Sequence, residues 1–212
     1  MINYPVPFYE NTSDNTHCFQ ASMKMVLKYF FPQKDFSWEE LDRYSAKVDG
    51  KWTWPQAFLI WLSSQNVEIK NIEVFDFRKF VEKKEAYLFE QYGEEVALAQ
   101  IKNSDIAQEV KFAQEFIEKI VTDVRIPTQG TIKELLTQKF LVCCAVNSQT
   151  LAGREGYSSH FVVVRGFDDT AFYVNDPGRP GVENRKIPFA QFEKAWAYPN
   201  DAAKNITAFR KK

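Results

Sequence analysis

Three side chains that lie far apart in the chain have the types a thiol hydrolase needs. Cys18 stands in Asn15-Thr16-His17-Cys18-Phe19-Gln20, where a polar turn gives way to an amphipathic stretch. His160 opens the apolar run Phe161-Val162-Val163-Val164, and Asp176 closes Tyr173-Val174-Asn175-Asp176. A helix start presents unpaired N–H groups and the positive end of the helix dipole, which favours thiolate over thiol. A cysteine nucleophile also needs a proton acceptor within hydrogen-bond reach, and the chain has two histidines. His17 adjoins Cys18, and adjacent helical residues point in different directions. His160 begins a strand that the fold can carry to the helix end, so His160 is the expected base.

The third member follows from hairpin geometry. A turn centred on Asp168-Asp169 sets His160 opposite about residue 176 or 177 once a bulge is allowed. Asp176 is then its cross-strand neighbour, while Asn175 faces the other side of the sheet. A carboxylate beside an imidazole fixes its tautomer and stabilises its protonated form. Asp176 is therefore the expected orienting group, and Asn175 takes its place if the register slips by one. Taken singly, each feature has a plainer reading: a small residue at a helix start, a histidine on a rim, an Asn-Asp-Pro turn. Their joint occurrence in this order is what points to chemistry.

The elements that must hold these groups can be traced along the chain. Residues 3–10 alternate Tyr4, Val6 and Phe8 between prolines and read as an extended arm. Phe19, Met23, Val26, Leu27 and Phe30 recur at helical spacing until Pro32. Ser37-Trp38-Glu39-Glu40 reads as a capping box, and Pro55 opens a third helix. Residues 67–72 alternate as a strand. The charged, proline-free segment 76–122 has helical periodicity in two stretches and is expected to be an inserted helical pair. Either it lies beside the cleft, with Phe77, Phe80, Tyr87 or Tyr92 walling a groove near Cys18, or it is a remote elaboration that extends the core. A short helix ending near Lys139 precedes the continuous apolar run 140–146, a buried strand in which Cys143 and Cys144 are core thiols. Residues 160–166 and 171–176 form the hairpin, 188–196 a short helix and 206–209 a last strand. The Trp52 and Trp54 rings are expected to be packing, and Glu82-Lys83-Lys84-Glu85 a solvated helix face. Helices crowd the first half and an antiparallel sheet the second, an α+β arrangement.

Composition narrows the function classes. Of 212 residues, 45% are hydrophobic and 16% aromatic, enough to fill a core. A net charge of −1 advertises no nucleic-acid or anionic-membrane partner. No apolar run reaches the roughly 20 residues of a membrane helix. Three cysteines, two of them adjacent, with no signal-peptide start, fit a reduced cytoplasmic protein.

Two blocks carry a resemblance. Val6-Pro7-Phe8-Tyr9-Glu10-Asn11 followed by the Cys18 helix ending in Met25-Val26-Leu27 resembles the start of a papain-like cysteine peptidase. More narrowly, it resembles the double-glycine-leader (bacteriocin-processing, family-39) peptidases. The block Ser159-His160-Phe161 through Asp168-Asp169 to Asn175-Asp176-Pro177 is similar to that family's histidine strand, Asp-rich turn and Asn-Asp-Pro. The resemblance implies a papain-like α+β fold over residues 1–212 as a single domain, with 76–122 inserted in it. It implies Cys18 as nucleophile, His160 as base and Asp176 as orienter, acting on a peptide or other amide without metal or organic cofactor. Where the family has Cys-Gly-Pro, this chain has Cys18-Phe19-Gln20. Where the family has an oxyanion-stabilising glutamine before the cysteine, the nearest equivalent is Asn11, with Asn15, Gln20 and the Cys18 backbone N–H as alternatives. The same thioester chemistry would serve a deamidase or acyltransferase, and a degenerate peptide-binding module is the non-enzymatic rival.

Overall fold

The computed structural model describes residues 1–212. Strand β1 (Ile2–Asn3) starts the arm, and helix α1 (Cys18–Phe30) follows the polar turn. The Ser37–Glu40 capping box opens α2 (Trp38–Tyr44) as its sequence signature predicts. Pro55 precedes α3 (Gln56–Ser63), and β2 (Val67–Glu73) follows.

The next segment corrects the expected helical pair. It holds four helices: α4 (Phe77–Lys83), α5 (Glu85–Tyr92), α6 (Glu94–Asn103) and α7 (Ile106–Lys119). The breaks fall at Lys84 and Gly93, both with positive φ (52° and 77°), and at Ser104-Asp105, where the Asp105 carboxylate caps α7. Gly93 is a visible break in the sequence; a lysine in the left-handed region is not. Strand β3 (Thr122–Asp123) and α8 (Gln129–Thr137) come next. The second half comprises β4 (Leu141–Asn147), α9 (Ser148–Leu151), β5 (Ser159–Phe167), β6 (Ala171–Asp176), β7 (Val182–Pro188), α10 (Phe189–Trp196) and β8 (Asn205–Lys211). Strand β7 is a second correction. It is an edge strand of mostly exposed polar residues, so it lacks the apolar alternation that marks a half-buried strand.

The strands form one twisted sheet in the order β3-β2-β8-β4-β5-β6-β7, with β1 added beside β5. All pairs are antiparallel except β2 with β3, which the four helices connect. Both faces are covered, which is why β4 reads as a continuous apolar run. Cys143 packs in the core beneath α1 and α3–α7, Cys144 in the core beneath α8 and α10. No helix is long and apolar enough to cross a membrane.

Helix α1 lies across β5. Ser22 Oγ donates to the Phe161 carbonyl at 3.1 Å, and the Phe19 ring packs edge-on between Phe161 and Phe58. The arm ties the far side. Tyr4 N–H donates to Arg165 O, and Asn175 Nδ2 to Val6 O at 3.2 Å. The chain at Ile2 passes so close to Gly166 that a Cβ there would sit 2.1 Å from Ile2 O. The packing thus brings the start of α1 and the start of β5 together.

Candidate active site

Cys18 is the first residue of α1, with His17 as its N-cap. The first helical N–H groups have no partner within the helix, and the N–H groups of Phe19 and Phe161 both approach the sulfur. On the sheet side, the His160 ring lies close enough to the thiol for each to shift the other's ionisation. On the ring's other side, His160 Nε2 lies 2.7 Å from Asp176 Oδ1. Because Asp176 takes Nε2, the thiol meets Nδ1. Both Asp176 oxygens are held: Oδ1 also accepts from Gly178 N at 3.0 Å, and Oδ2 from Arg185 Nη1 at 2.7 Å.

The register that achieves this is offset from the one expected. Val163 pairs with Asn175, and a bulge interrupts the ladder between Val164 and Gly166. Continuing that ladder sets Asp176 opposite Val162, so it reaches His160 diagonally along the shared face of the sheet. Asn175 faces the other side and is fully buried; it accepts from Arg165 Nη1 and Asn184 N while holding the arm.

The electrostatics of the three groups are coupled. Burial pushes the Cys18 thiol up, but the hydrogen bond and charge of His160, with the two backbone N–H groups, leave it below its ordinary value. Burial disfavours the His160 imidazolium, but Asp176 and Cys18 more than offset this and raise it. Burial likewise raises Asp176, while His160, Gly178 N–H and Arg185 hold it at about 2. The arrangement favours a thiolate–imidazolium pair with an ionised Asp176 behind it. Burial drives the Cys143 and Cys144 thiols far upward, and both are fully enclosed.

The other singled-out residues fall elsewhere. His17 Nδ1 contacts Thr12 Oγ1 at 2.7 Å and Asp14 Oδ1 at 3.1 Å, and its Nε2 lies 3.3 Å from Asp42 Oδ1. Its ring sits edge-on against Trp38, so both nitrogens are engaged between α1 and α2. Asn11 is buried beside the helix start; its Oδ1 accepts His17 N–H at 2.8 Å and its Nδ2 donates to Asn15 Oδ1 at 3.1 Å. Gln20 is turned into the core, where its Nε2 donates to Ser45 and Thr53 hydroxyls at 2.9 Å each.

Cys18 opens onto a cavity of about 140 Å³ between α3, the four-helix segment and the sheet. Trp54 packs on Phe75 and Phe80, as expected, and with Trp52 and Thr53 it also lines this cavity. Tyr92, Val96 and Gln100 form its other wall. Among Phe77, Phe80, Tyr87 and Tyr92, Tyr92 supplies the wall; the other three are packed in the core. Glu73, at the end of β2, also lines the cavity. The amphipathic pattern of β2 gives no sign of it.

This α+β fold is that of the C39-like peptidases. The chain belongs to the Peptidase_C39 like family, whose model matches residues 3–204. Two solved structures share the fold at 16% identity and a TM-score of 0.51 each. One is a double glycine motif protease from an AMS/PCAT transporter in complex with the leader peptide, with 99% of this chain and 94% of that one covered. The other is described as a C39-like peptidase from Bacillus anthracis, with 100% and 98% covered. A 40-residue stretch is 52% identical to the uncharacterized protein YvpB of Bacillus subtilis (strain 168), spanning 19% of this chain and 15% of that protein.

Proposed function

We propose that the protein is a cysteine hydrolase that cleaves a peptide or other amide bond through a thioester on Cys18. The observation that carries this reading is His160, held 2.7 Å from Asp176 and set beside Cys18, at the mouth of a cavity large enough for a substrate side chain. The Cys18 thiolate attacks the amide carbonyl. His160, protonated on Nδ1, then gives that proton to the departing amine, and afterwards draws one from the water that opens the thioester. Asp176 holds the ring with Nδ1 toward the sulfur and stabilises the imidazolium.

We assign the tetrahedral oxyanion to the Asn11 amide, whose Oδ1 already holds the His17 N–H at the start of α1, with the Cys18 backbone N–H as the alternative. The segment 76–122 serves as an inserted cover over the cleft, with α6 facing the sheet across the cavity. The family-39 neighbour bound to a leader peptide makes a peptide the favoured substrate class.

The test is brief iodoacetamide treatment of the native protein, followed by mass spectrometry and a screen of peptide amides for a trappable acyl-enzyme. Labelling and acylation confined to Cys18 support the reading. Preferential labelling of Cys143 or Cys144, or acylation that survives Cys18→Ala, overturns it.

A further inference from the structure

The cavity beside Cys18 has a chemistry of its own. Its floor is a row of residues running across the sheet: Glu73 on β2 opposite Asn205 on β8, then Ala145 on β4 opposite Phe161 on β5. The Asn205 side chain joins the two halves by accepting Ala145 N–H at 2.8 Å. Cys18 lies over the Phe161 end, so three strand intervals, roughly 14 Å, separate the thiol from Glu73.

Two chains of aromatic rings stand along this floor. Trp54 meets Phe75 and Phe75 meets Tyr92 on one side; Trp52 meets Tyr157 and Tyr157 stacks on Tyr198 on the other. Helix α6 spans between them, with Gln100 Nε2 donating to Tyr157 Oη at 2.9 Å and Glu95 accepting from Tyr198 Oη.

The cavity contains one carboxyl and no base: no Lys, Arg or His lines it. Glu73 Oε1 accepts from Asn71 Nδ2 at 2.7 Å, while nothing in the chain donates to Oε2. Glu73 is half-buried at the cavity wall; no cation pairs with it there, and its partial withdrawal from water raises it to about 7. Gln56, 4% exposed, lines the same cavity with its Oε1 also unpartnered. Aromatic faces around a lone carboxyl are the setting that binds ammonium or guanidinium groups, through the ring quadrupoles and a charge-assisted hydrogen bond.

We propose that this cavity is the specificity pocket of the enzyme and takes a basic side chain, lysine or arginine, borne one or two residues from the scissile amide. The inference rests on Cys18 being the acylated thiol. One or two residues of extended backbone, roughly 3.3 Å each, and one long stem cover the distance from Cys18 to Glu73. An apolar side chain would cover the half-buried carboxyl without pairing it, and an acidic one would oppose it. Glycine would leave the aromatic walls uncovered.

The experiment uses peptidyl vinyl sulfones identical except at that residue, which carries Lys, Arg, norleucine, Glu or Gly. The rate of Cys18 modification is followed by mass spectrometry, with iodoacetamide run in parallel. Lys and Arg probes are expected to react roughly 10- to 100-fold faster than norleucine, the range of one charge-assisted hydrogen bond. Glu73→Gln should erase that ratio, whereas Glu82→Gln, on the exposed face of α4, should leave it intact. Tyr92→Leu, which removes a ring but keeps apolar bulk, should lower it and serves if the Glu73 variant does not fold. Norleucine, Glu or Gly matching the basic probes in the parent protein overturns the proposal, as does a ratio that survives Glu73→Gln. Normal iodoacetamide labelling of Cys18 alongside such a result means that the pocket alone is misassigned. Failure of Cys18 to react with iodoacetamide overturns the assignment of the thiol, and the pocket with it.

Discussion

Asp176→Asn isolates what a single charge does at this site. In the parent protein Oδ1 accepts from His160 Nε2 at 2.7 Å and Oδ2 from Arg185 at 2.7 Å. Asn keeps the shape and loses the charge. If its Nδ2 turns toward Nε2, the ring must carry its proton on Nδ1 and can no longer take one from the thiol. A charge-assisted hydrogen bond contributes about 1.5–3 kcal/mol, which lowers the thiolate–imidazolium population at neutral pH by roughly 10- to 150-fold. Iodoacetamide alkylation of Cys18 should slow by that factor near pH 6–7. At high pH, where either thiol is ionised without help from His160, variant and parent should converge. Turnover should fall further, on the order of 10⁴-fold, because the proton must also be handed on. Stability should fall only modestly, by about 1–2 kcal/mol, because Arg185 is 29% exposed and can be rehydrated. Rate constants for alkylation across pH 4–10, with thermal unfolding alongside, check the argument. Coincident alkylation profiles would refute the claim that Asp176 acts on the thiol through His160.

Three further outcomes are expected. Asn11→Ala should lower turnover by on the order of 100–1000-fold while Cys18 alkylation stays near the parent rate, since alkylation develops no oxyanion; steady-state kinetics beside alkylation rates decide. Glu109, 4% exposed, is raised by burial to about 8, so the fold resists its ionisation. Stability is therefore lost as pH rises from about 4.5, where the unfolded chain ionises, to about 8, where the folded one does. Glu109→Gln should match the parent near pH 4 and gain on the order of 3 kcal/mol by pH 7 in denaturant titrations. Gly166→Ala would set a Cβ 2.1 Å from Ile2 O, backbone that cannot yield without leaving β5, so it should release the arm and lower the melting temperature. Hydrogen exchange at Tyr4, whose N–H donates to Arg165 O, reports the release directly.

The legible parts of this fold were those written in local chemistry. The Ser37–Glu40 capping box, Pro55 before α3, and the apolar runs of β4 and β5 each depend on a few neighbouring residues. The candidate site was legible as residue types at element boundaries, because a helix start and a strand start are themselves local signals. What escaped depends on distant partners. Lys84 adopts a left-handed conformation that nothing in its sequence announces, so the periodicity over 77–88 reads as one helix where the chain forms two. Strand β7 exists because β6 offers it an edge, not because its own residues alternate. The bulge between Val164 and Gly166 moves Asp176 opposite Val162, and it lies where the arm passes Gly166. Trp52 and Trp54 show the same aromatic pattern whether they fill a core or wall a cavity. Glu73 looks like any outward residue of a strand until the four helices close over it.

The two thiols of β4 have a use unconnected with catalysis. Neighbours on a strand face opposite sides, so Cys143 belongs to one apolar core and Cys144 to the other, each with no exposure. Alkylation of either residue records the moment its own layer opens to solvent. In a denaturant series, pulse labelling of this dipeptide, resolved by fragment mass, reports the cooperativity of the molecule from a single site. Simultaneous modification means that the helical layer over Cys143 and the layer over Cys144 melt as one unit. Modification of Cys143 first means that the layer carrying α1 lifts from an otherwise intact sheet. Cys18 and His160 would then separate while half of the protein remained folded, so, on the proposed mechanism, inactivation would precede unfolding.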